Sequence, residues 1–419
     1  MLRVWTSPLV VLLLLCAFAS GQAKEKVLYS FGTNPNDGMT PNGGLVFDNA
    51  GNLYGTTGYM PSRLCPECGI VFELSPSSSG PWTETILYQF CSRPNCADGQ
   101  SPRAGLIFDA SGNLYGTTKY GGANQYGTVF KLAPPSVPGG SWTETVLWSF
   151  SYEDGDAPVG KLAWDASGNL YGTTLGGGTS ALGTVFELSP SSGGWIEQVL
   201  YSFCPNKPQC SDGYFPEAGV TFDSSGNLFG TTTLGGYDNN WGTVFELSPV
   251  SGGGWTQITL DRFSPHHAGQ PTSELFFDHA GNLYGTVSQG GAHSPAQCGG
   301  VFRMSPVSGG WKESLFPFDD SGDRGCNPLA GVFVDNKTNT IFGTTESGPF
   351  PYGGTVFKMT GTKQTILYTF CQQDHCADGN QANSFLTPHS GKLYGTTLEG
   401  GTSSACGQFG CGVVYEITP

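Results

Sequence analysis

Residues 112–118 read Gly-Asn-Leu-Tyr-Gly-Thr-Thr, and close variants of this motif return at regular intervals along the chain. A second motif, Gly-Thr-Val-Phe-Glu-Leu-Ser-Pro at residues 242–249, follows each copy of the first with similar variation. A third, Val-Leu-Tyr-Ser-Phe, occupies residues 27–31 and 199–203. The chain is therefore an array of units of about 57 residues. Copies of the first motif begin at Gly51, Gly112, Gly168, Gly226, Gly281, Asn339 and Gly391.

Each repeat contains four runs with the composition of β-strands. In the second repeat these are residues 104–109 (strand a), 113–118 (strand b), 127–132 (strand c) and 142–150 (strand d). Gly, Asn, Ser and Pro separate the runs, as hairpin turns require. A single four-stranded sheet cannot bury both of its faces, so the units must stack on one another. Four-stranded units arranged radially form a β-propeller.

The two ends of the chain complement each other. The last repeat ends after strand c, at residues 413–419, whereas an isolated strand d at residues 27–31 precedes the first repeat. We expect the N-terminal strand to complete the last blade and so remove exposed strand edges. The sequence thus predicts an all-β fold, a seven-bladed β-propeller of four-stranded antiparallel blades. It spans residues 24–419 as one domain, with strand d of blade seven from 25–31.

Composition excludes several kinds of partner. Glycine accounts for 64 of 419 residues and charged residues for only 12%, which is typical of a chain with many tight turns. The formal net charge is −15. Nucleic-acid binders concentrate Lys and Arg, and anionic lipid surfaces attract the same residues. We therefore expect neither nucleic acid nor a membrane surface as a partner.

Residues 1–23 are predicted to be an export signal. Arg3 supplies positive charge, residues 9–19 form a short apolar segment, and Gly21-Gln22-Ala23 is a small-residue cleavage site. The apolar segment is too short to span a bilayer comfortably. Cys16 raises the alternative of a lipoprotein, which the bulky Leu15 before it disfavours. The expected location is extracellular or periplasmic, after signal cleavage and without a membrane span.

The cysteines predict a disulfide framework. Of 13 cysteines, 12 follow the signal, and an even number in an exported protein favours paired thiols. Zinc is the alternative for the close pairs, but only residues 65–68 have C-x2-C spacing and no second such pair completes a site. We expect no metal and no cofactor. Spacing gives five local pairs and elimination the sixth: Cys65–Cys68, Cys91–Cys96, Cys204–Cys210, Cys371–Cys376, Cys406–Cys411 and Cys298–Cys326.

The first two motifs, in this order, resemble those of the GloVer tandem-repeat family of secreted or surface-anchored bacterial proteins. The resemblance covers essentially the whole chain after the signal, and it is specific because both motifs recur together. Some members carry a C-terminal sorting anchor, of which this sequence shows no equivalent. The resemblance implies bacterial export and a repeat fold, and it supplies no reaction because the family has no assigned activity.

The two faces of the predicted ring differ. The a–b turns are nearly uniform, and their repeated aspartate, as in Asp109, suggests either a calcium ligand or an Asx turn; one carboxylate per turn favours the turn. All twelve cysteines and the large length variations fall in the b–c loops and d–a crossovers, which share the opposite face. An Asp-Gly signature there, as at Asp98, suggests either a ring of carboxylates or a structural turn. We expect a ligand on this loop face because ordered, variable loops usually carry binding sites.

Blade five departs most from the repeat. Glu274 stands where most blades have glycine in strand a, and Lys161 and Phe385 replace the same glycine in blades three and seven. Such a set of imidazole, carboxylate and guanidinium groups near one channel mouth is able to perform acid–base chemistry or to bind a metal. The alternative is that these residues are surface variation in a degenerate repeat. The candidate catalytic residues are His266, His267, His293, Glu274 and Arg324.

Aromatic residues in the same loops are candidates for stacking on sugar rings or gripping a protein, with packing beneath their own loops as the alternative. The candidate ligand contacts are Tyr120, Tyr126, Tyr237, Trp241, Tyr352 and Lys161.

Function follows from the repeat and from the candidates together. Near-equivalent blades without a clear catalytic constellation favour a secreted, monomeric binding or interaction propeller that engages a glycan or an extracellular protein through its disulfide-bearing loop face. The alternative is a polysaccharide-active enzyme, a lyase or hydrolase, with a site at the channel mouth near blade five. The fold hosts both classes.

Overall fold

The computed structural model describes residues 23–34, 36–61, 65, 67–77, 82–137, 139–236, 241–264, 268–290, 298–318, 325–348 and 353–419. These residues form seven small antiparallel sheets around a central channel, each with strand order a-b-c-d. The prediction of an all-β, seven-bladed propeller is confirmed. Within the described ranges the helical segments are three-residue 3-10 turns at Pro94–Cys96, Asp374–Cys376 and Gly407–Phe409, and no helix there is long and apolar enough to cross a membrane.

The strands are named a to d outward from the channel. Strands a are Val46–Phe47, Ile107–Phe108, Ala163–Trp164, Thr221–Phe222, Phe276–Phe277, Phe333–Asp335 and Thr387–His389. Strands b are Leu53–Tyr59, Leu114–Thr118, Leu170–Thr174, Leu228–Thr232, Leu283–Val287, Thr340–Thr345 and Lys392–Glu399. Strands c are Ile70–Ser75, Thr128–Ala133, Thr184–Ser191, Thr243–Pro249, Gly300–Val307, Thr355–Thr360 and Val413–Thr418. Strands d are Thr83–Gln89, Thr143–Ser149, Gly194–Ser202, Trp255–Arg262, Gly310–Pro317, Lys363–Thr369 and, for blade seven, Lys24–Ser30.

Short extra strands extend three blades on the loop face. Met39–Pro41 pairs with strand b of blade one, and Asn380–Ala382 pairs with strand b of blade seven. Ala268–Gly269 pairs with Gln289–Gly290 in blade five.

The N-terminal strand closes the ring. Lys24–Ser30 runs antiparallel to Val413–Thr418, with Lys24 opposite Thr418 and Ser30 opposite Val413. Beyond the strand, the Phe31 amide donates a hydrogen bond to the Gly412 carbonyl at 3.0 Å. The complementary chain ends therefore meet as expected.

Strand a is much shorter than the six residues expected from the motif, because neighbouring blades converge on the channel. A Cβ built on Gly43 would lie 2.6 Å from the Ala104 carbonyl oxygen of the next blade. Instead of pairing as a strand, the converging segment accepts a hydrogen bond from the first threonine of the motif in strand b of the preceding blade. Thr56 Oγ1, for example, donates to the Ala104 carbonyl at 3.0 Å.

The core lies between blades and explains the central glycine of the first motif. A Cβ on Gly116 would lie 2.7 Å from the ring of Phe130. Phe130 is fully buried and meets Phe90, from the end of the previous blade's strand d, edge to face at 4.9 Å. The third and second motifs therefore meet at each blade interface.

The repeated aspartate of the a–b turn is a structural group. Asp109 Oδ1 accepts hydrogen bonds from the Ser111 and Asn113 amides at 2.8 and 2.9 Å. Its Oδ2 accepts from Asn113 Nδ2 and from the Tyr115 hydroxyl at 2.6 and 3.0 Å. Burial tends to raise the pKa of Asp109, but these hydrogen bonds outweigh it and hold that pKa below its ordinary value. The Asx turn is the correct interpretation.

The Asp-Gly aspartates are also structural. Asp98 is fully buried and accepts hydrogen bonds from the Tyr88 hydroxyl at 2.8 Å and the Ser92 amide at 2.9 Å. It therefore ties the end of strand d to the crossover, and the alternative of a carboxylate ring at the channel mouth is wrong for this position.

Six disulfides join the same cysteines that spacing and elimination paired: Cys65–Cys68, Cys91–Cys96, Cys204–Cys210, Cys298–Cys326, Cys371–Cys376 and Cys406–Cys411. They all lie in b–c loops or d–a crossovers, on the loop face.

Candidate functional site at the channel mouth

The loop face of the channel opens into a chamber of about 310 Å³, which we call the mouth chamber. Every blade contributes to it. The position whose residue type varies most from blade to blade lies between the crossover and strand a. The seven residues at this position are Asn42, Arg103, Val159, Glu217, Thr272, Leu329 and Asn383.

One backbone feature aims all seven residues into the channel. In each blade, the second residue before the lining residue has a positive φ although it is not glycine. A positive φ is uncommon for such residues and turns the chain sharply. In six blades a proline follows it and fixes the next backbone angle. The positive-φ residues are Thr40, Ser101, Ala157, Phe215, Gln270, Asn327 and Gln381.

Arg103 is the most defined cation of the mouth chamber. Its Nε donates to Ser101 Oγ at 3.1 Å, its guanidinium lies 4.9 Å from the centre of the Tyr59 ring, and its Nη2 donates to the Tyr59 hydroxyl. Among the described residues it forms no ion pair with a carboxylate. Its charge is therefore positioned by Tyr59 of blade one and by Ser101 of its own crossover, and it is left available to the chamber.

Lys119 lies between two carboxylates from the next two blades. Glu217 is exposed at the chamber, yet the protein around it removes part of its hydration and raises its pKa, against the charge of Lys119 and a hydrogen bond from Thr233. Burial likewise raises the pKa of Asp156, against Lys119 and a backbone hydrogen bond. The charge of Lys119 therefore acts on both carboxylates, although no ion pair within 4 Å joins it to either of them.

Three side chains narrow the channel below the mouth chamber. Glu274 and Phe385 line both the mouth chamber and a lower chamber of about 480 Å³, and Lys161 lines the lower one. A Cβ built on Gly331 would lie 3.4 Å from the Phe385 ring, and one on Gly44 would lie 3.5 Å from Phe385 Cβ. Phe385 therefore lies at the channel wall beside blades six and one, and together with Glu274 it borders both chambers.

The candidate catalytic set is represented here by Glu274 alone. His266, His267, His293 and Arg324 lie outside the described residues, and their convergence stays a prediction. Tyr237 and Tyr352 lie outside them as well.

The described aromatic candidates do not line the mouth chamber. The ring of Tyr120 lies 5.0 Å from Lys119 Nζ. Tyr126 contacts the Tyr152 ring at 5.5 Å. Trp241 packs against the backbone of Gly269, where a Cβ would lie 2.4 Å from the indole. Ligand contact by these three residues stays a prediction.

Sequence reasoning missed Arg103, Lys119 and Glu217. The signal for Arg103 and Glu217 was present, since the position after the recurring proline, and its equivalent in blade seven, holds a different residue in almost every blade while its neighbours repeat. Lys119 lies outside this position, directly after the first motif. What the sequence alone did not show is that these seven positions meet around one chamber.

One cluster of potential metal ligands occurs in the described part of the chain, where Cys65, Cys68 and Cys91 Sγ atoms lie within 4.8 Å of one another. All three sulfurs belong to disulfides, so they offer no thiolate.

Solved structures with similar folds come from diverse proteins. PorZ, a surface component of the type-IX secretion system of Porphyromonas gingivalis, shares 14% identity at a TM-score of 0.50, over 90% of this chain and 46% of that one. The extracellular domain of a putative hybrid two-component system from B. thetaiotaomicron shares 10% sequence identity at a TM-score of 0.53, over 95% of this chain and 39% of that one. A chain of the mitotic checkpoint complex shares 10% sequence identity at a TM-score of 0.51, over 99% of this chain and 97% of that one. The protein spans less than half the length of the first two, and at these identities the likeness shows the fold alone.

Sequence comparison identifies the family. None of the curated proteins compared with this sequence matches it. The sequence profile of the Gloeobacter/Verrucomicrobia repeat matches residues 17–221 and again residues 206–410. The two matches together cover most of the chain, and the expected resemblance is confirmed. The chain therefore belongs to the Gloeobacter/Verrucomicrobia repeat family.

Proposed function

We propose that the protein is an extracellular binding propeller that holds the acidic end of a glycan in the mouth chamber. The observation that carries this proposal is Arg103, a guanidinium held at the chamber wall by Tyr59 and Ser101 without a carboxylate partner among the described residues. A uronate carboxylate accepts two parallel hydrogen bonds from such a group.

The size and lining of the mouth chamber support a short polar ligand. Its volume of about 310 Å³ lies at the lower end of small-molecule sites. Asn42 and Asn383 face each other in it, with Asn383 Nδ2 donating to Asn42 Oδ1 at 3.4 Å. Amide groups and Thr272 supply donors and acceptors for sugar hydroxyls. We expect Glu274 and Phe385, which border both chambers, to restrict passage along the channel and so to favour a chain end over a threaded polymer.

The extracellular part of the proposal draws on the disulfides. Six of them on one face are typical of proteins that mature in an oxidising compartment. Some of them hold the crossovers that deliver the lining residues: Cys91–Cys96 lies in the crossover that leads to Arg103, and Cys204–Cys210 in the one that leads to Glu217.

Titration calorimetry tests this function. The probes are disaccharides ending in galacturonate or glucuronate and their neutral hexose counterparts. We expect binding of an acidic disaccharide, a loss of about tenfold or more in Arg103→Gln, and no change in Arg262→Gln, because charge-assisted hydrogen bonds contribute about 1.5–3 kcal/mol. Arg262 lies in strand d of blade four and donates to the Ser211 carbonyl, outside the chamber. Equal affinities of the two variants, or equal binding of the neutral sugars, contradict the proposal.

An assay for unsaturated uronate and reducing sugar on the same probes separates binding from catalysis. We expect no turnover. Turnover that is lost in His267→Ala and His293→Ala favours the enzyme near blade five.

A further inference from the structure

A tryptophan near the start of strand d closes most blade interfaces on the face opposite the mouth chamber. It contacts an aromatic ring of strand b in the preceding blade. The four pairs and their ring-centre distances are Trp82–Tyr394 at 6.4 Å, Trp142–Tyr54 at 6.4 Å, Trp255–Tyr171 at 6.2 Å and Trp311–Phe229 at 5.6 Å.

The interface between blades two and three breaks this pattern. Trp195 occupies the same repeat position but makes no ring contact with any described residue, whereas its expected partner Tyr115 meets Trp164 at 4.8 Å, edge to face. Trp164 lies in strand a, where four other blades have phenylalanine, as in the Tyr54–Phe108 pair at 5.2 Å. The larger indole takes space beside Tyr115 that the strand-d tryptophan fills elsewhere.

Two unpaired polar atoms mark the same interface. Thr117 Oγ1 is buried without a hydrogen-bond partner among the described residues, and so is Trp164 Nε1. In the six other blades the equivalent threonine donates to a carbonyl of the next blade; these are Thr56, Thr173, Thr231, Thr286, Thr344 and Thr396. The seam between blades two and three is therefore packed differently from the others.

The result is an open cleft of about 480 Å³ between these blades. We call it the aromatic cleft. Its walls are mainly aromatic and apolar, and its polar side chains are two aspartates of the a–b turns. The lining residues that matter are Phe108, Asp109, Tyr115, Trp164, Asp165 and Trp195.

The aspartates offer charge but no free hydrogen-bonding positions. Asp165 accepts two amide hydrogen bonds on Oδ1, at 2.8 Å each, and bonds from Asn169 Nδ2 at 2.7 Å and the Tyr171 hydroxyl at 3.3 Å on Oδ2. Asp109 is saturated in the same way. A carboxylate has about four acceptor positions, so all are occupied.

A ligand of the aromatic cleft must therefore use charge and ring faces instead of hydrogen bonds. A sugar would stack on the indoles, but its hydroxyls would keep water as their partner because the saturated aspartates offer them no free acceptor, so the cleft would contribute no direct polar contact. A cation without N–H donors has no such need and is attracted by aromatic faces. The two carboxylates of the cleft and the formal net charge of −15 also favour a positively charged ligand.

We propose that the aromatic cleft between blades two and three binds a quaternary ammonium group, as carried by choline or a betaine. This site is separate from the mouth chamber and does not depend on the proposed glycan function.

Titration calorimetry with choline, with its neutral tert-butyl isostere and with methyl glucoside tests the proposal. We expect choline alone to bind. Trp164→Phe restores the residue type of other blades and should lower choline affinity by about fivefold or more. The matched control, Trp255→Phe at the closed interface of blades three and four, should not.

The contradicting outcomes are distinct. The proposal fails if choline does not bind the folded protein, if the isostere or the glucoside binds as tightly, or if Trp164→Phe keeps full affinity while its circular dichroism is native. Arg103→Gln should leave choline binding unchanged, so failure of the glycan proposal does not affect this test.

Discussion

Replacing Phe31 by alanine tests whether the N-terminal strand is part of the ring. Phe31 is fully buried and meets the ring of Phe72, in strand c of blade one, edge to face at 5.1 Å. Phenylalanine-to-alanine changes at such sites cost about 3–5 kcal/mol. Unfolding entropy is about 2.1 cal/mol/K per residue, so roughly 400 residues give about 0.8 kcal/mol/K. The melting temperature should therefore fall by about 5 °C.

Differential scanning calorimetry at one pH and scan rate makes this measurement, with two matched controls. Phe90 holds the same position inside the chain, is fully buried and meets Phe130 at 4.9 Å. Phe409 is a loop residue with 55% of its surface exposed. Phe31→Ala should resemble Phe90→Ala, and Phe409→Ala should stay within about 0.5 kcal/mol of the parent. If Phe31→Ala behaves like Phe409→Ala while Phe90→Ala is destabilised, the closure is refuted.

Two further predictions concern stability. Burial next to an aspartate carboxylate raises the pKa of Glu84 and of Glu197 to about 8, so their protonated forms favour the folded state. Chemical denaturation should show that these protonated carboxyls contribute fully to the free energy of unfolding below about pH 4.5, and that the contribution is lost as the pH rises to about 8. Glu84→Gln should flatten the dependence of the free energy of unfolding on pH. An unchanged dependence contradicts the assignment. Gly116→Ala should cost about 1–3 kcal/mol by overpacking against the Phe130 ring. In the same denaturation assay Gly193→Ala, whose Cβ would meet nothing within 4 Å, should cost little; equal effects would show that ring packing is not the reason for Gly116.

The blades were predictable because their signals are local. Strands b, c and d follow from alternating patterns and from motifs that repeat seven times, and closure follows from counting strands at the chain ends. Strand a was predicted too long, since its first residues converge on the channel and accept hydrogen bonds from residues of the preceding blade such as Thr56. That geometry is a property of the ring and not of one repeat.

The candidate sites were less predictable because they depend on contacts between blades. Arg103 and Glu217 are far apart in sequence and meet only around the mouth chamber. Trp164 is a one-residue departure within strand a, and its consequence falls on Trp195, more than thirty residues later. The composition of the loops pointed to the face on which the mouth chamber opens and to Glu274, but not to the seven residues that follow the crossovers.

The most direct test of the account is a crystal structure of the protein soaked with a galacturonate-terminated disaccharide. The account predicts electron density for a sugar ring in the mouth chamber, with its carboxylate within about 3 Å of the Arg103 guanidinium. Density for the ligand elsewhere, with the mouth chamber holding solvent alone, would contradict it.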